Sequence, residues 1–326
     1  MSTLKDIAQH TKVSVSTVSR VLNNDQTLNV NPQTRKSIID YAKKIGYQKK
    51  PLKKNHRLIG VIIWIEQSDE LKDPYFMEIR YGIERAAEAS KTFIMTLYKS
   101  NDDYQLEKLK DVDGLICIGK FTRNEIEKFK KISPSMVFVD SSPQPEDYPS
   151  IMIDYYASTK CVIDYLLAKD YSSIGFIGGT EQFDNTVQED EYRHKYAKKI
   201  LEKNHRYHEE HFHIGQFTVD SGYQRMVEAL KKPLAKAYFC ANDMIAFGVL
   251  KALHENNIKI PEDTAIIGFN DVAQAAYTHP ALTTLKIYTE AMGEEALVTL
   301  LKMIENPEQL PIKKIMPTKL IVRQSA

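Results

Sequence analysis

A short segment near the start of the chain combines a valine, hydroxyl side chains and an arginine in positions where a helix could offer them to DNA. Val15 can pack on a thymine methyl group, Ser16 is a permissive hydrogen-bonding partner, and Arg20, one turn on, can take a guanine edge or a phosphate. Three further short polar side chains suit phosphates, which fix register without reading sequence, and these are Thr17, Ser19 and Asn23. These residue types indicate contact with duplex DNA if a helix presents them.

Capping residues predict three short helices around this segment. Thr3 followed by Asp6 is typical of a capping box, Ser14 is a second N-cap, and Asn31–Pro32 opens a third helix that Gly46 ends. The apolar side chains that recur at helical spacing are Leu4, Ile7 and Ala8, then Val18, Val21 and Leu22, then Ile38, Ile39, Ala42 and Ile45. Two short helices separated by about three residues, and then a third, indicate a helix-turn-helix unit. The alternative is a generic three-helix bundle without a nucleic-acid partner.

The charge of the chain is unevenly distributed. The whole sequence of 326 residues carries a net charge of +1, but residues 1–57 hold twelve Lys/Arg and three Asp, a net charge of +9. The remaining residues carry −8. A small basic segment on an acidic body is the asymmetry expected when only that segment approaches phosphates. The charge therefore favours the DNA-binding interpretation over the generic bundle.

The basic segment resembles the N-terminal headpiece of LacI/GalR-family transcription regulators. The matching strings are LKDIAQHTKVSVSTVSRVLNN (4–24) and TRKSIIDYAKKIGY (34–47). The resemblance implies that Val15 and Ser16 carry operator specificity. The other positions implied to contact operator DNA are Ser14, Thr17, Ser19, Arg20, Asn23 and Thr34. It also implies a homodimer with one headpiece on each half of a near-palindromic, double-stranded operator, because one recognition helix covers too few bases.

The segment after the headpiece departs from this family. Gln48–Arg57 reads QKKPLKKNHR, with five Lys/Arg and a helix-breaking Pro51, and is expected to form an exposed basic linker. Family members typically have a longer hinge with a short helix that inserts a leucine into the minor groove. Here only 12 residues separate Tyr47 from Gly60, and Leu52 is the nearby apolar candidate. The sequence leaves two alternatives, a hinge helix or lysines that follow phosphates electrostatically.

The rest of the chain alternates short apolar runs with helical stretches and predicts two α/β lobes. The expected strands are 58–65, 92–98, 114–119 and 135–140, then, after a connection near 151–156, 173–179, 236–243 and 264–271; a helix is expected over Tyr75–Ala89. Such alternation implies parallel sheets. We predict a headpiece over 1–47, a linker over 48–57 and an effector-binding and dimerisation domain over 58–326. Its N-lobe is expected at about 58–153 and 288–316, and its C-lobe at about 156–286 and 317–326.

Polar residues follow several of these strands, where ligands of open α/β sheets bind. Tyr75 and Phe76 come after the loop that follows the first strand, and Asp140 ends the fourth. Two polar pairs, Asn242–Asp243 and Asn270–Asp271, end strands of the second lobe. A polar pair directly after a strand can also be a helix cap, and for Asp243 and Asp271 capping is at least as good an interpretation as ligand contact.

The resemblance extends over essentially the whole chain through YFCAND, IPED, IIGFND and HPALTTL. It implies a two-lobed core similar to periplasmic sugar-binding proteins, behind the all-α headpiece. The positions implied to line the effector cleft are Phe76, Arg193, Phe217, Asn242 and Asn270, with Tyr75 and Asp140 as further candidates. For Phe76 and Phe217, core packing is the alternative interpretation. The ligand classes left open are a neutral carbohydrate, a sugar phosphate and a nucleobase, with galactose or a galactoside the first expectation.

Other sequence signals argue against competing classes. In NHRYHEEHFH (204–213) a zinc helix of the H-E-x-x-H type would need histidine where Phe212 stands, so we expect a solvated helix end and loop and no metal. Neither a dinucleotide fingerprint nor a nucleophile elbow is present, so no cofactor and no enzyme activity are expected. Cys117, Cys161 and Cys240 suggest reduced, buried thiols.

The sequence contains no apolar run long enough for a membrane span, and its start does not have the pattern of a signal peptide. We therefore expect a cytoplasmic, nucleoid-associated, sugar-responsive repressor of a carbohydrate operon in a bacterium. The two alternatives are a sugar-binding protein that serves uptake, which would require a signal or lipid anchor, and a sugar-converting enzyme fused to a DNA-binding head, which would require a catalytic constellation.

Overall fold

A computed structural model describes residues 3–22, 28, 30–47, 56–100, 103–184, 187–189 and 191–326. The chain divides into two compact units, Met1–Asn55 and His56–Ala326. The predicted contact residue Asn23 and residues 48–55 of the predicted linker lie outside the described residues. Arg57, which we assigned to the linker, begins the first strand of the larger unit instead, because it pairs in register with Thr92.

The smaller unit contains the three predicted helices, α1 (Leu4–Thr11), α2 (Val15–Leu22) and α3 (Pro32–Lys44). The predicted capping box is confirmed: the Thr3 N–H donates to Asp6 Oδ2 at 2.8 Å and the Asp6 N–H to Thr3 Oγ1 at 3.3 Å. Gly46 follows α3 with a φ of +61°, a left-handed conformation that favours glycine. The core of this unit consists of the buried side chains Ile7, Ala8, Val18, Val21, Ile38 and Ala42.

The larger unit contains two six-stranded sheets, as the two-lobe prediction requires. The first sheet is entirely parallel, in the order β13-β5-β4-β3-β1-β2. Its strands are β1 (Arg57–Ile63), β2 (Thr92–Tyr98), β3 (Gly114–Ile118), β4 (Met136–Val139), β5 (Ser150–Ile153) and β13 (Lys313–Met316). We call this sheet and its helices the N-lobe.

The second sheet has the order β14-β12-β11-β10-β6-β9 and is parallel except for its edge strand β14. Its strands are β6 (Ile174–Gly179), β9 (Phe212–Gly215), β10 (Ala237–Cys240), β11 (Ala265–Asn270), β12 (Thr283–Ile287) and β14 (Thr318–Ile321). A separate hairpin joins β7 (Glu181–Asp184) to β8 (Val187–Glu189). We call this sheet and its helices the C-lobe.

The helices that cover the sheets follow the strands in the alternating order that the sequence predicts. They are α4 (Gln67–Glu70), α5 (Tyr75–Ser90), α6 (Arg123–Lys130), α7 (Tyr155–Ala168), α8 (Tyr192–Lys203), α9 (Val219–Ala229), α10 (Asp243–Glu255) and α11 (Thr289–Glu305). The chain passes between the lobes at three places, from β5 to α7, from β12 to α11 and from β13 to β14. Among the helices of the described residues, none is both long enough and apolar enough to cross a membrane.

Two expectations about local structure are wrong. The histidine-rich stretch is not a helix end and loop throughout, because Phe212–Gly215 forms the edge strand β9 against β6. Of the three cysteines expected to be buried, Cys161 is exposed because it lies on the outer side of α7. Cys117 and Cys240 are buried in the two sheets, and burial raises the pKa of each thiol well above its usual value.

Each lobe contains a pair of helices in backbone contact. In the N-lobe, a Cβ atom on Gly82 of α5 would lie 2.0 Å from the carbonyl oxygen of Glu290 in α11. In the C-lobe, a Cβ atom on Gly222 of α9 would lie 2.2 Å from the carbonyl oxygen of Ile245 in α10. Real Cβ atoms do not approach oxygen so closely, so these two helix pairs require glycine at their crossing points.

Candidate functional site

The predicted DNA-contact residues of the headpiece lie mostly at the start of α2. Ser14 caps the helix, since its Oγ accepts the Thr17 N–H at 3.0 Å and lies 2.7 Å from Ser16 Oγ and 2.8 Å from Thr17 Oγ1. Val15 has 40% of its surface exposed, and Ser16 and Arg20 are also exposed. The structure thus brings together hydroxyl groups, a methyl surface and a guanidinium group along one short helix.

The remaining candidates of the headpiece are less accessible. Thr17 and Ser19 of α2 are half-buried, and so is Thr34, which lies on α3 rather than on α2. In a helix-turn-helix unit, the start of the second helix enters the major groove of DNA. Short polar side chains elsewhere on the packed helices can then contact the phosphates beside the groove. Contact with DNA stays a prediction for every one of these residues.

The seven predicted effector residues of the larger unit all line one cavity of about 420 Å³ between the lobes, which we call the interlobe cleft. They are Tyr75, Phe76, Asp140, Arg193, Phe217, Asn242 and Asn270. Asp140 follows β4 in the N-lobe, Asn242 follows the last residues of β10, and Asn270 ends β11. The cleft is therefore at the carboxyl ends of both sheets, where α/β folds bind ligands. That each residue contacts a ligand stays a prediction.

Asp140 is the centre of a polar cluster on the N-lobe side of the interlobe cleft. It accepts hydrogen bonds on Oδ1 from the hydroxyl groups of Tyr75, at 3.1 Å, and Tyr155, at 2.6 Å. Burial, together with the nearby carboxylate, raises the pKa of both tyrosines well above the usual value, so both hydroxyl groups stay protonated and donate. Tyr155 was not among the sequence predictions. It is the first residue of α7 and lies within the predicted connection near 151–156.

Arg193 is the buried cation of the C-lobe side. Its Nε donates to Glu191 Oε1 at 2.7 Å and its Nη1 to the carbonyl oxygen of Ala241 at 2.5 Å. Three aromatic rings surround the guanidinium carbon at distances between 5.1 and 5.7 Å, those of Tyr155, Phe217 and Phe269. The protein itself engages two of the nitrogens of this guanidinium and stacks rings against it, so Arg193 is held in a fixed position rather than extended into open space.

A hydrogen bond between Asn242 and Asp73 also joins the two lobes across the cleft. Asn242 caps α10 by accepting the Ile245 N–H on Oδ1 at 2.9 Å, and its Nδ2 donates to Asp73 Oδ2 at 2.8 Å. Asp73 also accepts the Tyr75 N–H at 3.1 Å. Burial raises the pKa of this carboxyl group. Asp73 was not among the sequence predictions, although it lies three residues before Phe76.

The second members of the two polar pairs have structural roles. Asp243 is fully buried and accepts hydrogen bonds from Thr284 Oγ1 at 2.6 Å and the Val272 N–H at 2.9 Å. Burial raises its pKa to about 7. Asp271 pairs with Arg323 at 2.6 Å. Neither residue lines the interlobe cleft, and neither caps a helix, since the cap of α10 is Asn242.

Aromatic side chains line both sides of the cleft. Phe76 and Phe217 are half-buried and face it from opposite lobes. Trp64, the only tryptophan of the sequence, follows β1 and lies edge-to-face on Phe76, with ring centroids 6.2 Å apart. The indole also packs over Gly119, where a Cβ atom would lie 1.9 Å from Trp64 Cδ1. Sequence analysis included Trp64 in an apolar strand and did not recognise it as part of the site.

The cleft suits a ligand with hydroxyl groups and an apolar face. Carboxylate and amide oxygens accept, tyrosine and amide groups donate, and aromatic rings cover apolar faces. Within the described ranges, no group of three or more His, Cys, Asp or Glu is placed to hold a metal ion.

Comparisons with known proteins agree with this organisation. Residues 3–50 match the model of bacterial regulatory proteins of the lacI family, and residues 163–326 match that of a periplasmic binding protein-like domain. The HTH-type transcriptional regulator GalR of Streptococcus thermophilus is 36% identical over 100% of this chain and 99% of its own length. The HTH-type transcriptional repressor MelR of Bacillus subtilis is 35% identical, with coverage of 100% and 97%.

The fold is also found among solved structures. The complex of transcriptional regulator CelR with cellobiose superposes with a TM-score of 0.72 over 100% of both chains, at 24% identity. This chain has relatives more than 30% identical over its whole length, a headpiece that matches the family model and a two-lobed domain that follows the headpiece in the sequence. It therefore belongs to the lacI family of bacterial regulatory proteins and is a DNA-binding transcription regulator, not an enzyme.

Proposed function

We propose that this regulator represses a carbohydrate operon and that a small sugar-type effector, bound in the interlobe cleft, controls its affinity for the operator. The observation that carries this proposal is the cleft itself: seven residues from distant parts of the chain converge on one cavity that the Asp73–Asn242 hydrogen bond spans. A ligand that contacts both lobes changes the free-energy difference between their open and closed arrangements. An effector can therefore shift the population from one arrangement to the other.

In the headpiece, α2 enters the major groove of the operator. Val15 and Ser16 read base edges, and Arg20 binds a guanine edge or a phosphate. The remaining proposed contacts, which position the headpiece on the backbone, are Ser14, Thr17, Ser19, Asn23 and Thr34. The net charge of +9 over residues 1–57 supports DNA binding by this segment, because DNA phosphates attract it and repel the acidic remainder of the chain.

The effector response requires a modest preference for one state. To lower operator affinity a hundredfold, the effector must bind the weak-binding state more tightly by about 2.7 kcal/mol. Galactose or a galactoside is the first candidate, which the name of the GalR relative supports. The mixed acceptors, donors and aromatic rings of the cleft suit such a ligand.

The active species is a homodimer in the cytoplasm, associated with the nucleoid. Two headpieces are needed because one recognition helix reads too few base pairs for specificity in a genome. The larger unit, His56–Ala326, serves effector binding and dimerisation, and the headpiece over 1–47 serves DNA binding. Residues 48–55 join them in the sequence.

Binding-site selection followed by a sugar panel tests this proposal. The full-length protein selects its operator from random duplexes, and a gel shift then measures release by galactose, lactose, ribose and cellobiose. We expect a near-palindromic consensus, and release by at least one sugar that also raises the melting temperature. A variant in which Val15 and Ser16 are both substituted by other residues should select a different consensus sequence. An unchanged consensus would contradict the role of α2, and failure of every sugar to bind would contradict the role of the cleft.

A further inference from the structure

A short segment of the N-lobe forms one edge of the interlobe cleft. Residues 66–73, which we call the rim segment, lie between β1 and α5, and three of them line the cleft: Asp69, Lys72 and Asp73. The segment contains α4, a helix of four residues. A helix of about one turn is not stable in water by itself. Contacts with the rest of the N-lobe must therefore hold the rim segment in place.

Apolar packing does not supply these contacts. The one apolar side chain of the rim segment is Leu71, and 83% of its surface is exposed. Within this segment, all of which the structure describes, the only buried residue is Glu70, with 4% exposed. Surface helices are usually attached by an apolar face. Here a carboxylate takes that place, and a buried carboxylate is stable only when it is paired and hydrogen-bonded.

Three hydrogen bonds from two neighbouring elements fix the Glu70 carboxylate. Arg80 of α5 donates from Nε to Oε1 at 3.0 Å and from Nη2 to Oε2 at 3.1 Å, and the hydroxyl group of Tyr98, the last residue of β2, donates to Oε2 at 2.7 Å. Burial and the hydrogen bond to Glu70 raise the pKa of Tyr98 to about 12, so this hydroxyl group keeps its proton. A contact from two arginine nitrogens fixes the plane of a carboxylate as well as its distance. We call Glu70, Arg80 and Tyr98 the Glu70 anchor.

The Glu70 anchor lies outside the cleft and connects to it through the backbone. None of its three residues is among the described residues that line the cavity. Three residues after Glu70, the Asp73 N–H donates to the carbonyl oxygen of Asp69 in α4 at 3.2 Å, and Asp73 Oδ2 accepts the hydrogen bond from Asn242 of the other lobe. A shift of α4 therefore displaces Asp73 and changes a contact between the lobes.

We propose that the three residues of the Glu70 anchor are positioning residues: they hold the rim segment in the arrangement that binds the effector, without contacting the effector themselves. When only a fraction of the protein has the binding-competent arrangement, the apparent affinity is reduced by that fraction. Breaking the anchor should therefore weaken effector binding from a distance. The proposal rests on the proposed function, because it concerns the same cleft, but the position of the rim segment can be measured without an effector.

Hydrogen exchange of the full-length protein without sugar measures the rim segment directly. Arg80→Lys keeps the positive charge but cannot form the two parallel hydrogen bonds. We expect peptides over residues 66–73 to exchange at least roughly tenfold faster than in wild type, and peptides over β3 of the same lobe to exchange as in wild type. Unchanged exchange over 66–73 would overturn the proposal. Equal acceleration in β3 would overturn it as well, because the anchor would then stabilise the whole lobe rather than one segment.

Arg85→Lys is the matched control for this experiment. Arg85 belongs to the same helix as Arg80 and also pairs with two carboxylates, but its partners are Glu290 and Glu294 of α11 rather than a residue of the rim segment. We expect wild-type exchange over residues 66–73 in this variant. Acceleration equal to that in Arg80→Lys would overturn the specific role of the Glu70 anchor, because any loss of an arginine contact on α5 would then loosen the segment.

Sugar binding gives the functional result. The full-length proteins are titrated with galactose, lactose, ribose and cellobiose while the emission of Trp64, the only tryptophan and a cleft residue, is recorded. For a sugar that binds wild type, we expect at least roughly threefold weaker binding to Arg80→Lys, a smaller loss in Tyr98→Phe and wild-type affinity in Arg85→Lys. Faster exchange over 66–73 with unchanged sugar affinity would overturn the link to binding. If no sugar binds wild type, the proposed function fails, and the exchange over 66–73 still decides whether the anchor positions the segment.

Discussion

The headpiece and the interlobe cleft obtain their functional geometry at very different ranges along the chain. In the headpiece, the bonds that shape the proposed DNA surface join residues three apart, Thr3 to Asp6 and Ser14 to Thr17. In the cleft, Tyr75 meets Asp140 across 65 residues, and Asn242 meets Asp73 across 169. A DNA-reading surface can therefore be built by one helix and its cap, whereas a ligand cavity between lobes exists only once the whole fold has formed.

The largest effect on stability and on the effector response is expected from removing the Arg193 side chain from the cleft. Arg193→Ala leaves the carboxylate of Glu191 buried without its partner, which costs about 3–5 kcal/mol in the free energy of unfolding. We expect loss of the effector response with operator binding retained below the lowered melting temperature. Urea unfolding and a gel shift with the effector measure the two results.

Arg225→Ala is the matched control for this variant. Arg225 also belongs to the C-lobe and pairs with a glutamate, but Arg225 is only half-buried, its partner Glu228 is exposed, and neither residue lines the interlobe cleft. Its loss should cost no more than about 1 kcal/mol and should leave the effector response unchanged. Normal release of operator from Arg193→Ala would show that the cleft assignment is wrong.

The free energy of unfolding should depend on pH to an intermediate extent, and with opposite signs for a buried aspartate of the larger unit and an aspartate of the headpiece. Asp243 has a raised pKa of about 7 in the fold and an ordinary value of 3.8, so the folded protein binds the extra proton between these values. Stability from this group is fully present below about pH 4 and is lost as the pH rises towards about 7, at up to about 1.4 kcal/mol per pH unit. In the headpiece, hydrogen bonds from Thr3 lower the pKa of Asp6, so its contribution has the opposite sign and is lost as the pH falls.

Urea unfolding followed by Trp64 fluorescence at several pH values measures the Asp243 contribution. Asp243→Asn should flatten the slope between about pH 4 and 7, because the amide does not titrate there. Asp147→Asn, an exposed carboxyl group in the N-lobe, should retain the wild-type slope. A slope that is the same in Asp243→Asn and wild type would mean that another group titrates.

The smallest effect is expected for a single side chain of the headpiece. Arg20→Ala should weaken operator binding by about 1–3 kcal/mol and leave effector affinity, measured by Trp64 fluorescence, as it was. Arg123→Ala removes the same charge from an exposed helix of the N-lobe and should leave operator affinity unchanged. Both measurements need one fixed salt concentration, because phosphate contacts weaken steeply with salt. An Arg20→Ala protein that binds operator like wild type would remove this residue from the proposed interface.

The same difference in range explains what could be predicted from sequence. Caps and apolar spacing within a few residues placed all three headpiece helices. In the body, buried strands such as β3 and β11 are continuous apolar runs and were found, whereas β13 is an edge strand of exposed and half-buried residues and was not. Asp73 and Tyr155 were missed because only tertiary packing brings them to the cleft. Trp64 was missed because a tryptophan at the end of an apolar run is expected to be a core residue. Only the position of the strand end beside the cleft shows that its side chain belongs to the site.

The glycine contacts between paired helices determine how a signal can leave the cleft. Backbone touches backbone at Gly82 and Glu290 in one lobe and at Gly222 and Ile245 in the other, so neither pair can slide or compress without losing its packing. We therefore expect the two helices of each pair to move together when an effector binds. A change in the angle between the lobes is then expected to come from the three segments that join them. Such a rotation moves the residues of a lobe that lie far from these segments more than those that lie close to them.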